Sequence, residues 1–193
     1  MQNVNVDRHK FVGGSDIPII LGLSPFKSRF DLLLEKAQLV EKEFVTNEYI
    51  DYGNEMEEKI RSYINEKHNT NYEENKVIKG KVRYHSDGFN GESVIEIKTT
   101  SKIRKTLKGY KSYLVQLLIG MKLNKIDRGL LVVYERPKDF NTDIQPERIQ
   151  KFEIDINDHL DLLKEIEKAI LKFLEDLEKV KVNPLIEEWE LDR

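Results

Sequence analysis

The residues best suited to chemistry lie between positions 85 and 100, in the segment HSDGFNGESVIEIKTT. Asp87 precedes a glycine, and Glu96 and Lys98 interrupt an apolar run. Because side chains alternate along a strand, Glu96 and Lys98 should point to one face and the isoleucines beside them to the other. Charged groups are rarely buried without a partner or a metal. A divalent cation held by Asp87 and Glu96, with Lys98 beside a bound water, would explain the pattern.

The Glu-x-Lys pattern is weak evidence by itself, because 35% of the residues are charged and the pattern recurs at Glu57–Lys59 and Glu74–Lys76. Only Glu96 and Lys98 lie in a strand-like apolar run, downstream of an expected turn at Asp87 and its glycine. That context favours a metal site. A buried, purely structural Glu–Lys pair is the alternative.

The bulk composition predicts one globular domain over residues 1–193, since this length buries a sizeable core and 39% of the residues are hydrophobic. The absence of cysteine excludes disulfides, thiolate zinc sites and cysteine-ligated iron–sulfur clusters. No run of about 18 apolar residues suggests a membrane span. The N-terminal segment also lacks the apolar core of a signal peptide, so we expect a cytoplasmic protein.

The net charge of −3 does not by itself indicate a nucleic-acid-binding protein. However, the segment from Lys98 to Lys111 carries six cations and no acid. This segment is either a solvated loop or a surface that faces phosphate groups.

Helices are predicted to dominate the first third of the chain. Ser15 should cap a short helix over residues 16–21, ended by Gly22. Ser28 and Asp31 form a capping-box pattern that opens a second helix. The apolar residues of this second helix follow helical spacing, namely Phe30, Leu33, Leu34, Ala37 and Val40.

A third helix is predicted over residues 47–67. Its inward stripe consists of Gly53, Met56, Ile60, Tyr63 and Ile64. Glu57 falls at the edge of this stripe, so it is either a solvated helix edge or a carboxylate that faces the metal strand.

Strands are predicted over residues 76–78, 82–85, 93–99, 129–134 and 152–156. A largely buried helix over residues 109–123 separates the third strand from the fourth, and Gln116 in its middle is either a satisfied core amide or a site residue. A long amphipathic helix, with Leu160, Leu163, Ile166, Ile170, Phe173 and Leu177 on one face, should serve packing or oligomer formation. This order predicts an α/β sandwich with a mixed sheet.

Four ordered blocks resemble the YqaJ and lambda-exonuclease branch of the PD-(D/E)XK nucleases. They are RHKFVGGSDIPIILGLSPFKSRFDLLLEK, GNEMEE, HSDGF followed by VIEIKTT, and YLVQLLIGM, which together span roughly residues 8–135. The resemblance implies a restriction-endonuclease-like core, with a central mixed β-sheet flanked by helices, N-terminal helices and a long C-terminal helix. Ser86 stands where the motif name has proline.

The resemblance also implies roles for the matched residues. Asp87 and Glu96 match the metal-binding acids, and Ile97 would lend its backbone carbonyl. Lys98 matches the lysine that orients the attacking water, and Glu57 matches an acid that completes the metal shell.

Three further residues match positions near the substrate. Gln116 matches the motif glutamine near the nucleophile. Arg8 and Ser15 resemble a pair that contacts a terminal 5′-phosphate, although a surface arginine and an ordinary helix cap would look the same in sequence.

The implied function is an exonuclease dependent on one or two Mg²⁺ or Mn²⁺ ions, whose hard oxygen ligands the acids would supply. It would resect linear duplex DNA 5′→3′ from a 5′-phosphorylated end and leave a 3′ strand for a single-strand annealing protein. The resemblance further implies a homotrimer. The alternatives are an endonuclease on the same core and a non-catalytic DNA-binding module.

Overall fold

The computed structural model describes residues 7–41 and 47–191. The α-helices are α1 (Ile17–Ile20), α2 (Arg29–Lys36), α3 (Glu48–His68), α4 (Lys111–Asn124), α5 (Leu160–Val182) and α6 (Glu188–Leu191). The strands are β1 (Val12–Gly13), β2 (Glu73–Lys79), β3 (Val82–Phe89), β4 (Ser93–Thr100), β5 (Arg128–Glu135) and β6 (Ile149–Asp155).

The strands form a single mixed sheet in the order β1-β3-β4-β5-β6, with β2 also paired to β3. The pairs β1–β3 and β4–β5 are parallel, and the other pairs are antiparallel. Helix α4 packs on the sheet together with α1 and α5, whereas α3 packs against β4 and β3 with a separate apolar cluster. The predicted α/β architecture with a mixed sheet, N-terminal helices and a long C-terminal helix is confirmed.

Alternate residues of β4 and β5 enter the two apolar clusters. The cluster that contains α4 includes Val94, Leu131 and Val133, and the cluster that contains α3 includes Ile95, Ile97, Val132 and Tyr134. By this alternation, Glu96 and Lys98 share the face that α4 covers, as the sequence pattern predicts.

Two predicted helix starts are confirmed by their caps. Ser28 Oγ accepts a hydrogen bond from Asp31 N, and Ser28 N donates to Asp31 Oδ2, both at 3.1 Å. Asn47 caps α3 by accepting from the backbone N–H groups of Tyr49 and Ile50. These bonds satisfy amide donors that have no partner within the helix.

Two predictions about the first helices are wrong in detail. Ser15 does not cap a helix, because it lies inside a 3₁₀ turn (Gly14–Asp16) and α1 begins only at Ile17. Val40 does not belong to α2, because Gln38 adopts a φ of 61° after the helix ends and the chain leaves the helical path.

The predicted turn at Asp87 is also wrong, because Asp87 and Gly88 lie within β3. The chain reverses instead at Asn90 and Gly91, where Gly91 has a φ of 89°. The Asn90 side chain accepts hydrogen bonds from the two backbone amides that follow this glycine. Strand β3 is therefore longer than predicted and carries Asp87 in the sheet.

Within the residues that the structure describes, no helix is both long and apolar enough to cross a membrane.

The ring of Tyr84 fills the space beside Gly120 of α4. A Cβ atom built on Gly120 would lie 2.2 Å from the ring, and the tyrosine is fully buried. Gly120→Ala should therefore lower the free energy of unfolding by about 1–3 kcal/mol, as overpacking does in cores. Urea denaturation measures this change.

Gly53→Ala is the matched control, because a Cβ on this other helical glycine would meet only the Thr99 hydroxyl, at 3.3 Å. Since alanine favours the helix, Gly53→Ala should leave stability unchanged or raise it. Equal destabilisation by the two substitutions would contradict the packing argument.

Candidate active site

A register shift between β2 and β3 directs the Asp87 side chain towards β4. Between the pairs Asn75–Ser86 and Glu73–Phe89, β3 advances three residues (86 to 89) while β2 advances two (75 to 73). An extra residue in one strand is a β-bulge, which redirects the side chains next to it. Here the bulge lets Tyr84 and Asp87, an odd number of residues apart, both approach β4.

Strands β3 and β4 pair over a short length and then separate. Their paired residues are Gly88–Ile95 and Phe89–Val94. Beyond this point the Asp87 carboxylate takes the place of a strand partner, because Oδ2 accepts a hydrogen bond from Ile97 N at 2.6 Å. This bond ties the acid of β3 to the middle of β4.

Lys98 lies between the two acids that the sequence pairs with it. Its Nζ is 2.6 Å from Glu96 Oε1 and 3.7 Å from Asp87 Oδ2. The other oxygen of Glu96 accepts a hydrogen bond from the Tyr84 hydroxyl at 2.5 Å. Glu96 is almost fully buried, whereas the Lys98 side chain retains 28% of its exposure. The cluster therefore opens to solvent at the lysine.

Glu57 joins this cluster through Arg61, one turn further along α3. Arg61 Nη1 lies 3.6 Å from Glu57 Oε1 and donates to the carbonyl oxygen of Asp87 at 2.6 Å. The same guanidinium also pairs with Glu74 at 3.1 Å. Glu57 thus lies near the acids of β3 and β4, which is the position that one of its two interpretations from the sequence requires.

The cluster strongly perturbs the pKa values of its members. Burial, together with the nearby Glu96 and Glu57 carboxylates, raises the pKa of Asp87 to about 8 despite the opposing charge of Lys98. Burial likewise raises the pKa of Glu57, again opposed by Lys98. Burial alone would lower the pKa of Lys98, but the Asp87 and Glu96 carboxylates raise it above its ordinary value.

The donor set fits a hard divalent cation. Carboxylate oxygens are its preferred ligands, and the three acids outnumber the two cations beside them, Lys98 and Arg61, which leaves negative charge that a dication would balance. In the arrangement described, no three acidic or histidine side chains among residues 7–41 and 47–191 form a ligand set by themselves. Lys98 Nζ occupies the space between Glu96 and Asp87.

Arg8 and Ser15 come together, as their predicted roles require. Arg8 Nη2 donates to Ser15 Oγ at 3.1 Å and lies 3.7 Å from Asp16 Oδ1. Asp16 is buried and forms an ion pair of 2.6 Å with the equally buried Lys36. Lys36 also donates to the backbone carbonyls of Arg8 and Phe11, which holds the loop in place.

Gln116 is half-buried rather than buried, and its side chain donates to the Ser112 carbonyl of the same helix at 3.1 Å. It lines a cavity of about 500 Å³ together with Ser15, Thr100 and Arg104. The cavity therefore connects the loop of Arg8 and Ser15 with the end of β4, two residues beyond Lys98.

Sequence reasoning missed Tyr84, Arg61, Asp16 and Lys36. Lys36 could have been found, because it continues the inward stripe of Leu32 and Leu33 at helical spacing. Tyr84 could not, since a regular strand would place it and Asp87 on opposite faces.

Comparisons with known proteins identify the family and the fold. Residues 5–123 match the family model described as a YqaJ-like viral recombinase domain. An alkaline exonuclease (LHK-Exo) from Laribacter hongkongensis is similar in fold, with a TM-score of 0.64, 20% identity, and coverage of 89% of this chain and 90% of that chain. A phage-related exonuclease from Haemophilus somnus 129PT has a TM-score of 0.64, 19% identity, and coverage of 88% and 95%. A search of curated protein sequences found no match.

The raised pKa of Asp87 predicts a pH-dependent stability in EDTA. The folded protein binds this proton up to about pH 8, whereas the ordinary value is 3.8. Since the native state then holds more protons than the unfolded chain, the free energy of unfolding should fall as pH rises between these values. Asp87→Asn should flatten this decline, as urea denaturation at a series of pH values can measure.

Asp158→Asn, at an exposed position, is the control and should retain the decline. The prediction would be wrong if the free energy of unfolding fell equally with pH in the wild type and in Asp87→Asn. Asp87 would then have the same pKa in the folded and the unfolded chain.

Proposed function

This chain belongs to the family of YqaJ-like viral recombinase domains, and from that membership and the cluster around Lys98 we propose that it is a metal-dependent DNA exonuclease. The observation that carries the proposal is the position of Lys98 between Glu96 and Asp87, at the open side of an otherwise buried cluster. Similarity in fold to an alkaline exonuclease and a phage-related exonuclease supports it.

Asp87, Glu96 and the carbonyl of Ile97 would hold Mg²⁺ or Mn²⁺, one or two ions, with Glu57 completing the shell directly or through water. When bound, the metal neutralises phosphate charge and makes hydroxide accessible at neutral pH. The nearby carboxylates raise the pKa of Lys98, so the lysine keeps its positive charge at neutral pH. That charge can orient the attacking water and favour its hydroxide form.

Tyr84 and Arg61 would act as positioning residues. Tyr84 holds one oxygen of Glu96, which leaves the other oxygen for Lys98. Arg61 holds the backbone of Asp87 and faces Glu57. Gln116 lies in the adjoining cavity and would contact the substrate near the nucleophile.

The Arg8–Ser15 pair is proposed to bind the terminal 5′-phosphate of linear duplex DNA. A guanidinium and a hydroxyl that converge on one point suit a phosphate oxygen. Digestion would then run 5′→3′ and leave a 3′ single strand for recombination, where an annealing protein could bind it. We further propose a single nuclease domain over residues 1–193 that works in the cytoplasm as a homotrimer.

Lys98→Ala should reduce metal-dependent degradation of linear DNA by roughly 100-fold or more, since it removes the group that orients the water. The assay compares one plasmid in covalently closed form and in linear form with 5′-phosphates, with Mg²⁺ and with EDTA. Only the linear form should disappear, and only with Mg²⁺.

Lys168→Ala removes an exposed lysine of α5 and should retain wild-type activity. Opening of the closed circle would replace the exonuclease proposal with an endonuclease. Undiminished activity of Lys98→Ala would refute the role of the lysine, and absence of any metal-dependent cleavage by the wild type would favour a DNA-binding module.

Arg8→Gln should reduce the preference for 5′-phosphorylated over 5′-hydroxyl ends by roughly tenfold or more, because a charge-assisted hydrogen bond is lost. Initial rates on matched linear duplexes give the preference directly. Lys10→Gln is the control, since Lys10 lies in the same turn and pairs with Asp7 instead. An unchanged preference in Arg8→Gln would place end recognition elsewhere.

A further inference from the structure

A second cavity lies beyond the carboxyl ends of β4 and β5, with a volume of about 480 Å³. Its lining includes Ser101, Glu135, Arg136, Lys138, Asp139 and Arg148. The backbone N–H of Arg136 donates to the Thr100 carbonyl at 2.7 Å, so the cavity adjoins the last residue of the strand that carries Lys98. None of its lining residues belongs to the cluster described above.

The Arg136 guanidinium lies against two aromatic rings that also contact each other, with 5.6 Å between their centroids. It lies 4.3 Å from the ring centroid of Tyr49 and 5.0 Å from that of Phe140. Phe140 has a φ of 55°, which is strained for a bulky residue and which the surrounding structure must enforce. Its ring also packs edge-on against Tyr52 at 5.6 Å. This stacking fixes the arginine before any ligand arrives.

Arg148 is also half-buried, and its Nε donates to the side chain of Gln145. Among the residues that the structure describes, no carboxylate lies within ion-pairing distance of Arg136, Lys138 or Arg148. Glu135 and Asp139 line the same cavity without pairing to these cations. Positioned guanidinium groups that lack a carboxylate partner are suited to bind an anion, and above all a phosphate.

We propose that this cavity binds phosphate groups of the DNA backbone, with Arg136 and Arg148 as the contacts. The proposal rests on the proposed nuclease function and adds a DNA contact separate from the Arg8–Ser15 pair. Thr100 lies two residues from Lys98, or about 7 Å along a strand. The cavity therefore begins close to the strand position from which Lys98 would orient the attacking water.

The test is the salt dependence of binding to a 5′-phosphorylated duplex in EDTA, measured by fluorescence anisotropy. Each phosphate contact contributes about 0.9 to the slope of log K against log salt concentration. The double variant Arg136→Gln/Arg148→Gln should therefore lower the slope by about 2 and weaken binding at every salt concentration. In cleavage assays it should raise KM far more than it lowers kcat.

Arg128→Gln is the matched control, because Arg128 is exposed and begins β5 at the end opposite the cavity. It should keep the wild-type slope. The variant Arg136→Lys/Arg148→Lys preserves the charge and should recover most of the slope. If the double glutamine variant fails to fold, Arg148→Gln can be tested alone, because it leaves Arg136 and its aromatic contacts unchanged. This single variant should lower the slope by about 1.

A slope in the glutamine variants equal to that of Arg128→Gln would overturn the proposal. The proposal would also be wrong if the glutamine variants lost binding to dAMP or inorganic phosphate but kept the duplex slope. That result would indicate a site for free nucleotides. The cleavage assay tests the nuclease function separately. If that function is wrong, the wild type will show no more metal-dependent cleavage than Lys98→Ala.

Discussion

The hydrogen bond from Ile97 N to the Asp87 carboxylate is the interaction on which the site depends. It forms where β3 leaves β4, so a side chain completes a pairing that backbone groups complete elsewhere in the sheet. An ordinary ladder would pair Ile97 N with a backbone carbonyl of β3 and leave the Asp87 carboxylate without this donor. Separated strands without this bond would leave a buried amide unsatisfied, at a cost of about 1–3 kcal/mol. The acid therefore has a structural role besides the chemistry proposed for it.

Much of the fold was predictable, because it follows from periodicity and caps. The alternation around Glu96 gave the correct faces of β4, and the Ser28 cap gave the correct start of α2. The position of Asp87 was predicted wrongly as a turn, because an Asp–Gly pair is common in turns and the bulge depends on pairing with β2. The helical spacing of Lys36 marks it as inward-facing, but its pairing with Asp16, which is distant in the chain, leaves no local signal.

Two networks of buried charge differ in their consequences. Asp16 and Lys36 lie on the α2 side, are fully enclosed, and neutralise each other close to the loop of Arg8. The cluster around Lys98 contains more acids than bases and stays partly open. The first network suits a structural role, because a closed pair offers nothing to a ligand. The second stores electrostatic repulsion that a cation would relieve, as is common at functional sites.

The ring of Tyr84 links the two ends of the site mechanically. Its hydroxyl holds Glu96, while its ring abuts Gly14, where an added Cβ would lie 2.7 Å away. Gly14 directly precedes Ser15, so one side chain lies between the pair proposed to bind the DNA end and the acids proposed to hold the metal. A change in the size of this side chain would therefore disturb the turn of Ser15 and the position of Glu96 together.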